Sequence, residues 1–195
     1  MADIELPPLF HRRYNIAPTQ RIAVIRQQTP PRAEECLWGF EPPRAGSMVI
    51  NARSETLAER PMFKDLLSAN RCLIPADGFY EWNGKQSYYF QLPDRQLFAF
   101  AGLWRENRCV IVTRAADQNM HGIHDRMPVI ILSPQWQSWL DTSRPAAFAL
   151  AGAGAPPPLT ARPVSRRVNR VANDGPECLE PGEVQTGLAL FPEGE

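Results

Sequence analysis

The stretch Arg71-Cys-Leu-Ile-Pro-Ala-Asp-Gly-Phe-Tyr-Glu-Trp82 says more about fold and function than any other part of this 195-residue chain. It is an apolar, aromatic-rich run that ends at Asn83-Gly84, and a second aromatic run, Tyr88–Leu92, follows it. Two such runs separated by Asn-Gly are typical of a β-hairpin with a two-residue type I′ turn. The sequence therefore predicts a hairpin whose first strand carries one acidic residue, Glu81.

Glu81 is the first candidate catalytic residue. The two-residue period of a strand places its side chain on one face with Phe79, whereas Tyr80 and Trp82 lie on the other face. A carboxylate among aromatic side chains is poorly hydrated, and this raises its pKa. Glu81 is therefore either a general acid suited to neutral pH or a strand-end carboxylate that reaches solvent or pairs with an arginine.

Short β-type runs continue on both sides of the hairpin, rich in aromatic and β-branched residues and separated by Gly, Pro and Asn. Besides the hairpin, strands are predicted at Ile22–Arg26, Cys36–Phe40, Met48–Asn51, Cys72–Ile74, Leu97–Trp104, Cys109–Thr113 and Val129–Leu132. Proline positions and a serine N-cap predict short helices at Ser54–Arg60, Pro61–Ala69 and Ser133–Leu140. The predicted fold class is α+β, a β-rich domain with helices packed at its edges.

The composition indicates one domain over residues 1–195, with 190–195 as a frayed tail. The hydrophobic fraction of 44% is ordinary, and the formal net charge of zero excludes a global field that attracts nucleic acid or membranes. No apolar run reaches the roughly 20 residues that span a bilayer, and the sequence shows no signal peptide. The four cysteines form no C-x-x-C pair, which argues against zinc and a disulfide framework. We therefore expect a cytoplasmic monomer without cofactor or metal.

Two further islands mix polar and apolar residues, Met48–Glu55 and Gly122–Leu132. In the first island, Asn51 and Arg53 are two positions apart and share a face. An amide and a guanidinium side by side suit a phosphate or sugar group. The alternative is an asparagine in a turn beside a surface arginine.

In the second island, His124 follows His121 by three residues, but no Cys or Glu nearby completes a set of metal ligands. His124 is thus either a structural histidine bonded to Asp125 or a proton shuttle or oxyanion stabiliser that faces Glu81. The basic run at residues 162–170 is either part of a groove that contacts a nucleic-acid backbone or a solvated edge strand.

The motifs, in this order, resemble those of the SRAP family, the abasic-site processing proteins first named SOS response-associated peptidases. The resemblance covers about residues 13–181 and rests on Arg13–Gln20, Trp38-Gly39, Asn51–Thr56, Arg71–Trp82, Phe100–Trp104, Thr113, His124–Pro128 and Val168–Pro176. It implies a barrel-like antiparallel sheet with short peripheral helices. It also implies a positively charged groove that binds single-stranded DNA containing abasic sites.

The resemblance further implies roles for individual residues. The family's catalytic glutamate, histidine and asparagine fall on Glu81, His124 and Asn51. In this scheme Glu81 protonates the sugar oxygen as an abasic sugar opens, while His124 and Asn51 hold the open sugar. The DNA-binding positions fall on Arg53, Thr113, Arg126, Asn15, Pro18 and, more weakly because core packing explains it equally well, Trp38.

The chain departs from the family pattern at its first residues. Family members begin Met-Cys-Gly-Arg, and the cysteine captures the abasic aldehyde through its own amine and thiol. This chain begins Met1-Ala2-Asp3, and an internal cysteine cannot substitute because its nitrogen lies in a peptide bond. Either the start is misassigned or shortened, or the chain is a degenerate homologue that binds lesion DNA without a stable crosslink. The alternative function is a Glu/His-dependent peptidase.

Overall fold

The structure of the protein is a computed structural model that describes residues 12–27, 32–42, 45–118, 120, 122–143, 145 and 154–182. Within these ranges the strands are β1 Arg21–Arg26, β2 Arg32–Trp38, β3 Asn51–Arg53, β4 Arg71–Ala76, β5 Phe79–Asn83, β6 Gln86–Gln91, β7 Phe98–Arg105, β8 Arg108–Ala115, β9 Arg126–Pro128, β10 Ile130–Ile131 and β11 Thr160–Val164. The helices are α1 Pro61–Ala69 and α2 Trp136–Leu140, with 3₁₀ turns at Ser54–Thr56, Ser133–Gln135, Arg166–Asn169 and Pro176–Leu179. The β-rich α+β fold class is confirmed, and none of the described helices is long and apolar enough to span a membrane. His121 and the predicted tail at 190–195 lie outside the described residues.

Five strands of the large sheet close into a ring. The order β7-β4-β1-β2-β8 is completed by a further pairing between β7 and β8, which gives the barrel-like sheet that the family resemblance implies. Four of the five pairings are antiparallel, whereas β2 and β8 are parallel. β8 changes neighbours along its length, because its first half lies between β2 and β7 and its second half between β3 and β9. Four separate chain segments therefore meet at β8.

Side chains of the large sheet alternate between two buried faces. On β8, Val110 and Val112 belong to a hydrophobic cluster that also contains residues of α1 and α2, whereas Cys109 and Ile111 belong to a second cluster. Thr113 has the same orientation as Cys109 and Ile111 because it lies two residues further along the strand. The second face of the sheet therefore ends in a polar residue where β8 meets β3 and β9.

The predicted hairpin consists of β5 and β6, and β11 adds a third strand to form a separate small sheet. The prediction of a type I′ turn at Asn83-Gly84 is wrong by one residue, because Asn83 pairs with Gln86 and the loop is Gly84-Lys85. Gly84 has a φ of 59° and is the one loop residue in the left-handed region, which is the pattern of a type II′ turn. Asn83 stays in the strand because its side-chain amide donates to the carbonyl of Gly122 at 2.7 Å.

The predicted alternation of side chains along β5 is confirmed. Phe79 stacks on Phe90 with ring centroids 5.2 Å apart, whereas Tyr80 lies 6.4 Å from Trp82. Glu81, between Tyr80 and Trp82 in sequence, therefore lies on the Phe79 side of the hairpin.

Several predicted boundaries differ from the structure for local reasons. β2 ends before Gly39, whose φ of 126° interrupts the extended backbone. The strand predicted at Met48–Asn51 is instead Asn51–Arg53, and the helix predicted over Ser54–Arg60 is limited to the 3₁₀ turn Ser54–Thr56. The sequence does not predict β9, because it contains a proline, which argues against a strand. β11 overlaps the edge strand that is one of the two alternatives for the basic run at residues 162–170.

Candidate functional site

Residues from both sheets line one cleft of about 1710 Å³. Among them are all nine residues for which the sequence predicts a role in catalysis or DNA binding, namely Asn15, Pro18, Trp38, Asn51, Arg53, Glu81, Thr113, His124 and Arg126. Small-molecule sites typically measure about 300–1,000 Å³. The cleft is therefore large enough for an extended ligand such as a polymer strand.

Glu81 lies in the middle of β5 opposite Tyr88 and is half-buried. Burial raises the pKa of its carboxyl group, the charge of His124 lowers it, and the charge of Asp125 raises it. Burial is the largest of these effects, so the pKa is raised overall. Glu81 therefore retains its proton at a pH where an exposed carboxyl group has lost it, as a general acid requires.

The ring of His124 is held by the backbone of Arg126. Its Nδ1 lies 2.9 Å from the Arg126 amide nitrogen and 3.0 Å from the Arg126 carbonyl oxygen. Nδ1 accepts from the amide when it carries no proton and donates to the carbonyl when it does. The carboxylate of Asp125 lies 3.4 Å from the same nitrogen. Because Nδ1 is engaged in either state, Nε2 is the ring nitrogen that remains for a ligand in the cleft.

Asn51, Arg53 and Thr113 form a polar row at the end of the large sheet. β3 and β8 pair in parallel, with Asn51 opposite Ile111 and Arg53 opposite Thr113. Asn51 and Arg53 are exposed, whereas Ala52 between them is buried in the core. The amide and the guanidinium therefore lie side by side on one face, as their spacing predicts.

Arg126, on β9, is fixed by two neighbouring side chains. Its Nη1 and Nη2 donate to the two carboxylate oxygens of Glu55 at 2.7 and 2.9 Å, and Nη2 also donates to Thr113 Oγ1 at 3.3 Å. The hydrogen bonds from Arg126 lower the pKa of Glu55 to about 2. The Glu55 carboxylate is therefore ionised at any physiological pH, and the pair is a stable feature of the site.

Asn15 belongs to the cleft wall, which we define as residues 13–20 together with residues 166–175. Asn15 is buried, and its side-chain amide donates to the carbonyls of Val168, Asn173 and Arg170 at 2.9, 2.9 and 3.2 Å. The amide is thus already engaged within the protein. The geometry favours Asn15 as a support of the cleft wall over Asn15 as a direct DNA contact.

Asp174 joins the two halves of the cleft wall from the other side. Its Oδ1 accepts from the backbone amides of Tyr14 and Asn15 at 2.6 and 2.8 Å, and its Oδ2 pairs with Arg13. The Arg13 side chain and the two amides hold the pKa of Asp174 below its ordinary value, although burial acts against them. The carboxylate therefore stays charged and keeps the two segments together.

Trp38 and Pro18 line the cleft next to the polar row. Trp38 is half-buried against the second hydrophobic cluster, and its Nε1 donates to the carbonyl of Ile50 at 2.9 Å. This bond fixes the backbone immediately before Asn51. Pro18 is half-buried and precedes Thr19, whose amide donates to the carbonyl of Trp38 at 2.8 Å. Trp38 therefore packs in the core and lines the cleft at the same time.

The basic run at residues 162–170 has two parts, one in an edge strand and one in the cleft wall, and both locations are among the predicted alternatives. Arg162 lies in β11, at the edge of the small sheet. Arg166 and Asn169, in the following 3₁₀ turn, line the cleft, and Asn169 Oδ1 accepts from Trp82 Nε1 at 2.7 Å. The first part of the run is thus an edge strand, and the second part belongs to the cleft wall.

Sequence reasoning overlooked Glu55 and Asp174 as site residues. Both lie inside motifs that carry the family resemblance, Asn51–Thr56 and Val168–Pro176, and that position was the available signal. Their partners Arg126 and Asn15 are 71 and 159 residues away. Local patterns contain no information about pairings at that separation. Within the described residues, no group of three or more His, Cys, Asp or Glu could hold a metal ion.

Comparison with known proteins identifies the class to which this fold and cleft belong. Residues 3–171 match the family model of the SOS response associated peptidases, SRAP. The match covers most of the chain, and the chain therefore belongs to the SRAP family, as its motifs predict.

Relatives within the family are named for abasic sites. Over 194 aligned residues the chain is 36% identical to abasic site processing protein YoqW of Bacillus subtilis, and the alignment covers 88% of this chain and 87% of that protein. It is 31% identical over 197 residues to abasic site processing protein YedK of Escherichia coli, with 92% and 89% covered. It is 30% identical over 179 residues to abasic site processing protein HMCES of Gallus gallus, with 74% and 53% covered.

Solved structures share the fold. A protein from Bacteroides thetaiotaomicron superposes with a TM-score of 0.71 at 21% identity, covering 85% of this chain and 82% of that one. A phage-related protein from Bordetella bronchiseptica gives a TM-score of 0.63 at 31% identity, with 77% and 81% covered. The arrangement of strands and helices is therefore the one found in crystal structures of other proteins.

Proposed function

We propose that this protein binds single-stranded DNA at abasic sites and opens the ring of the abasic sugar. The observation that carries the proposal is the convergence of an acid, an imidazole and an amide, Glu81, His124 and Asn51, in one cleft. The names of the relatives in Bacillus subtilis and Escherichia coli support this class of substrate.

The chemistry of ring opening suits these three side chains. A closed abasic sugar is a hemiacetal, and it opens when its ring oxygen gains a proton and its anomeric hydroxyl group loses one, which leaves an aldehyde. Glu81 donates the first proton because burial raises its pKa. Nε2 of His124 accepts the second proton. The side-chain amide of Asn51 donates a hydrogen bond that holds the aldehyde oxygen.

The charge of the cleft supports single-stranded DNA as the ligand. The formal net charge of the chain is zero, but seven lysine or arginine and three aspartate or glutamate residues are among those that line the cleft. A local excess of positive charge attracts the phosphate backbone even when the whole protein has no net charge. Arg53, exposed beside Asn51, is the first candidate for a phosphate contact.

The four cysteines take no part in the proposed reaction. Cys36, Cys72, Cys109 and Cys178 are free and buried, and an internal residue has no α-amine with which to close a ring on an aldehyde. Free thiols in the core support the predicted cytoplasmic location.

The test uses a fluorescent single strand with one uracil-excised site and the same strand left intact. We expect tighter binding to the abasic strand and faster capture of its aldehyde by a hydroxylamine probe when protein is present. Glu81→Gln should retain the binding preference and lose the acceleration, because glutamine cannot donate the acid's proton. Equal affinity of the wild-type protein for both strands, with no acceleration, contradicts the proposal. Turnover of a peptide that Glu81→Gln abolishes, without DNA preference, would identify the peptidase alternative instead.

A further inference from the structure

We propose that Glu55 is a positioning residue that sets the specificity of the cleft by fixing Arg126 and balancing its charge. Arg126 then contributes a defined geometry at the cleft and little general attraction for phosphate. Glu55 is outside the set of residues that line the cleft, whereas Arg126 is within it, so Glu55 acts through its partner. The inference rests on the proposed function, which supplies the ligand.

The end of β3 explains why Glu55 lies at this place. β3 pairs with β8 as far as Arg53 and Thr113, and the 3₁₀ turn Ser54–Thr56 then leads the chain away from the sheet. The amide of Ala115, two residues beyond Thr113 on β8, donates to Glu55 Oε1 at 3.1 Å. If β3 continued, a backbone carbonyl of β3 would accept the hydrogen bond from the Ala115 amide. The Glu55 carboxylate accepts this hydrogen bond instead.

Glu55 restricts Arg126 to one orientation. A guanidinium has five N–H donors in a plane. Two of these donate to the Glu55 carboxylate in a bidentate arrangement, and a third donates to Thr113. A planar fork that is held at three donors cannot rotate freely. Of the two donors that remain, the Nε–H is buried without a hydrogen-bond partner in the described part of the chain. The second N–H of Nη1 is therefore the donor left for a ligand, and its direction is fixed before the ligand arrives.

The proposed catalytic histidine is held by the backbone of Arg126. His124 Nδ1 lies 2.9 Å from the Arg126 amide nitrogen and 3.0 Å from its carbonyl oxygen. That backbone pairs with Ala115 of β8, and Glu55 Oε1 accepts from the amide of the same Ala115 at 3.1 Å. Glu55 therefore orients the Arg126 guanidinium directly and reaches the imidazole through the backbone of Ala115.

Arg126 and Arg53 differ in role because only Arg126 has a carboxylate partner among the described residues. Arg126 and Glu55 form an ion pair at 2.7 Å, so their charges largely cancel at a distance. Arg53 forms no ion pair with any other described residue. Of these two arginines, Arg53 therefore contributes to the electrostatic attraction for the backbone, whereas Arg126 sets the orientation of the bound sugar. The Glu55 side chain is 47% exposed, and exposed pairs contribute little to stability, so the fold should tolerate its replacement.

The experiment compares wild-type protein with Glu55→Gln, Glu55→Asp and the control Glu59→Gln. Glu59 is an exposed glutamate four residues away, so its replacement removes the same charge without touching Arg126. Binding of intact and abasic single strands is measured between 50 and 200 mM salt, together with the rate of aldehyde capture. Thermal unfolding of each variant establishes that it is folded.

Glu55→Gln should steepen the slope of log affinity against log salt by about 0.7, the value for one additional phosphate contact on a single strand. The same variant should lower the rate of aldehyde capture by about 10- to 100-fold, the cost of a misplacement of roughly 1 Å. Glu55→Asp restores the charge but shortens the side chain, so it should return the slope to the wild-type value and leave the rate low. Glu59→Gln should alter neither.

Wild-type behaviour of Glu55→Gln in both measurements would overturn the inference. A lower rate with an unchanged slope would also overturn it, because loss of structure alone lowers the rate. Failure of the proposed function has a different signature, since the wild-type protein then shows no preference for the abasic strand. The slopes measured on intact strands test the role of Glu55 even in that case.

Discussion

Replacement of Asn15 gives the sharpest test of how the cleft wall is built. Its buried amide donates to three backbone carbonyls, those of Val168, Asn173 and Arg170. Asn15→Ala removes both N–H donors, so that the carbonyl of Val168 loses this donor. The carbonyls of Arg170 and Asn173 still accept from the Asn173 amide and the Cys178 thiol, respectively. Asn15→Asp keeps the shape of the side chain but points carboxylate oxygens at three carbonyl oxygens. We therefore expect both variants to be destabilised, and the aspartate variant to be destabilised more.

The magnitude follows from the number of bonds. Three carbonyls share two N–H groups, so about two full hydrogen bonds are lost, at roughly 1 kcal/mol each. A buried acceptor that finds no new partner adds about 1 kcal/mol, which gives a total of about 2–3 kcal/mol. In a chain of this size 1 kcal/mol lowers Tm by about 2–4 °C, so the expected decrease for Asn15→Ala is about 4–12 °C.

Calorimetric unfolding of the two variants, with Asn107→Ala at an exposed position as the control, measures this decrease. The family resemblance predicts Asn15 as a DNA-binding residue, and a DNA-binding role leads to a different expected result. A residue that only contacts DNA would weaken binding and leave Tm within about 1 °C of the wild-type value. That result for Asn15→Ala and Asn15→Asp would refute the assignment of Asn15 to the support of the wall.

Three further predictions follow from the geometry of the cleft and the small sheet. Glu81→Gln should lower the rate of sugar opening by about 100-fold or more, and the wild-type rate should fall as the pH rises through the raised pKa of Glu81 while the variant shows no such fall. Arg53→Ala should reduce the slope of log affinity against log salt by about 0.7 for intact and abasic strands alike; an effect confined to the abasic strand would contradict a phosphate contact. Gly78→Ala should destabilise the protein by about 1–3 kcal/mol in urea unfolding, because its Cβ would lie 2.2 Å from the ring of the buried Tyr89; an unchanged midpoint would show that the ring moves at no cost.

Sequence patterns predict those structural elements of this protein that are determined by residues close together in the sequence. The hairpin, the facing of Glu81 beside Phe79, and α1 at Pro61–Ala69 all follow from periodicity and from turn or helix signals within a few residues. The turn type does not, because Asn83 is held in the strand by Gly122, 39 residues away. The local pattern thus predicts the hairpin correctly. It predicts the wrong turn type, because a contact distant in sequence decides between the two possible turns.

The candidate site shows the same division. Asn51 and Arg53 can be placed on one face from their spacing alone. The bidentate pairing of Glu55 with Arg126 cannot be foreseen, because it depends on β9 lying beside β8 while β3 lies on the other side. The family resemblance implies that Asn51, Arg53 and Arg126 share one site, but it does not say which side chains support them.

The cleft wall has a consequence for the order in which the protein matures during synthesis. The bonds between Asn15 and Asp174 join positions 159 residues apart, and contacts of such high sequence separation form late because the long loop must close first. The hairpin with Glu81 and the ring of strands can be completed while residues near 174 are still inside the ribosome. A nascent chain should therefore carry its acid and its imidazole before it has a walled groove, and the wall should form only after residues near 174 have emerged.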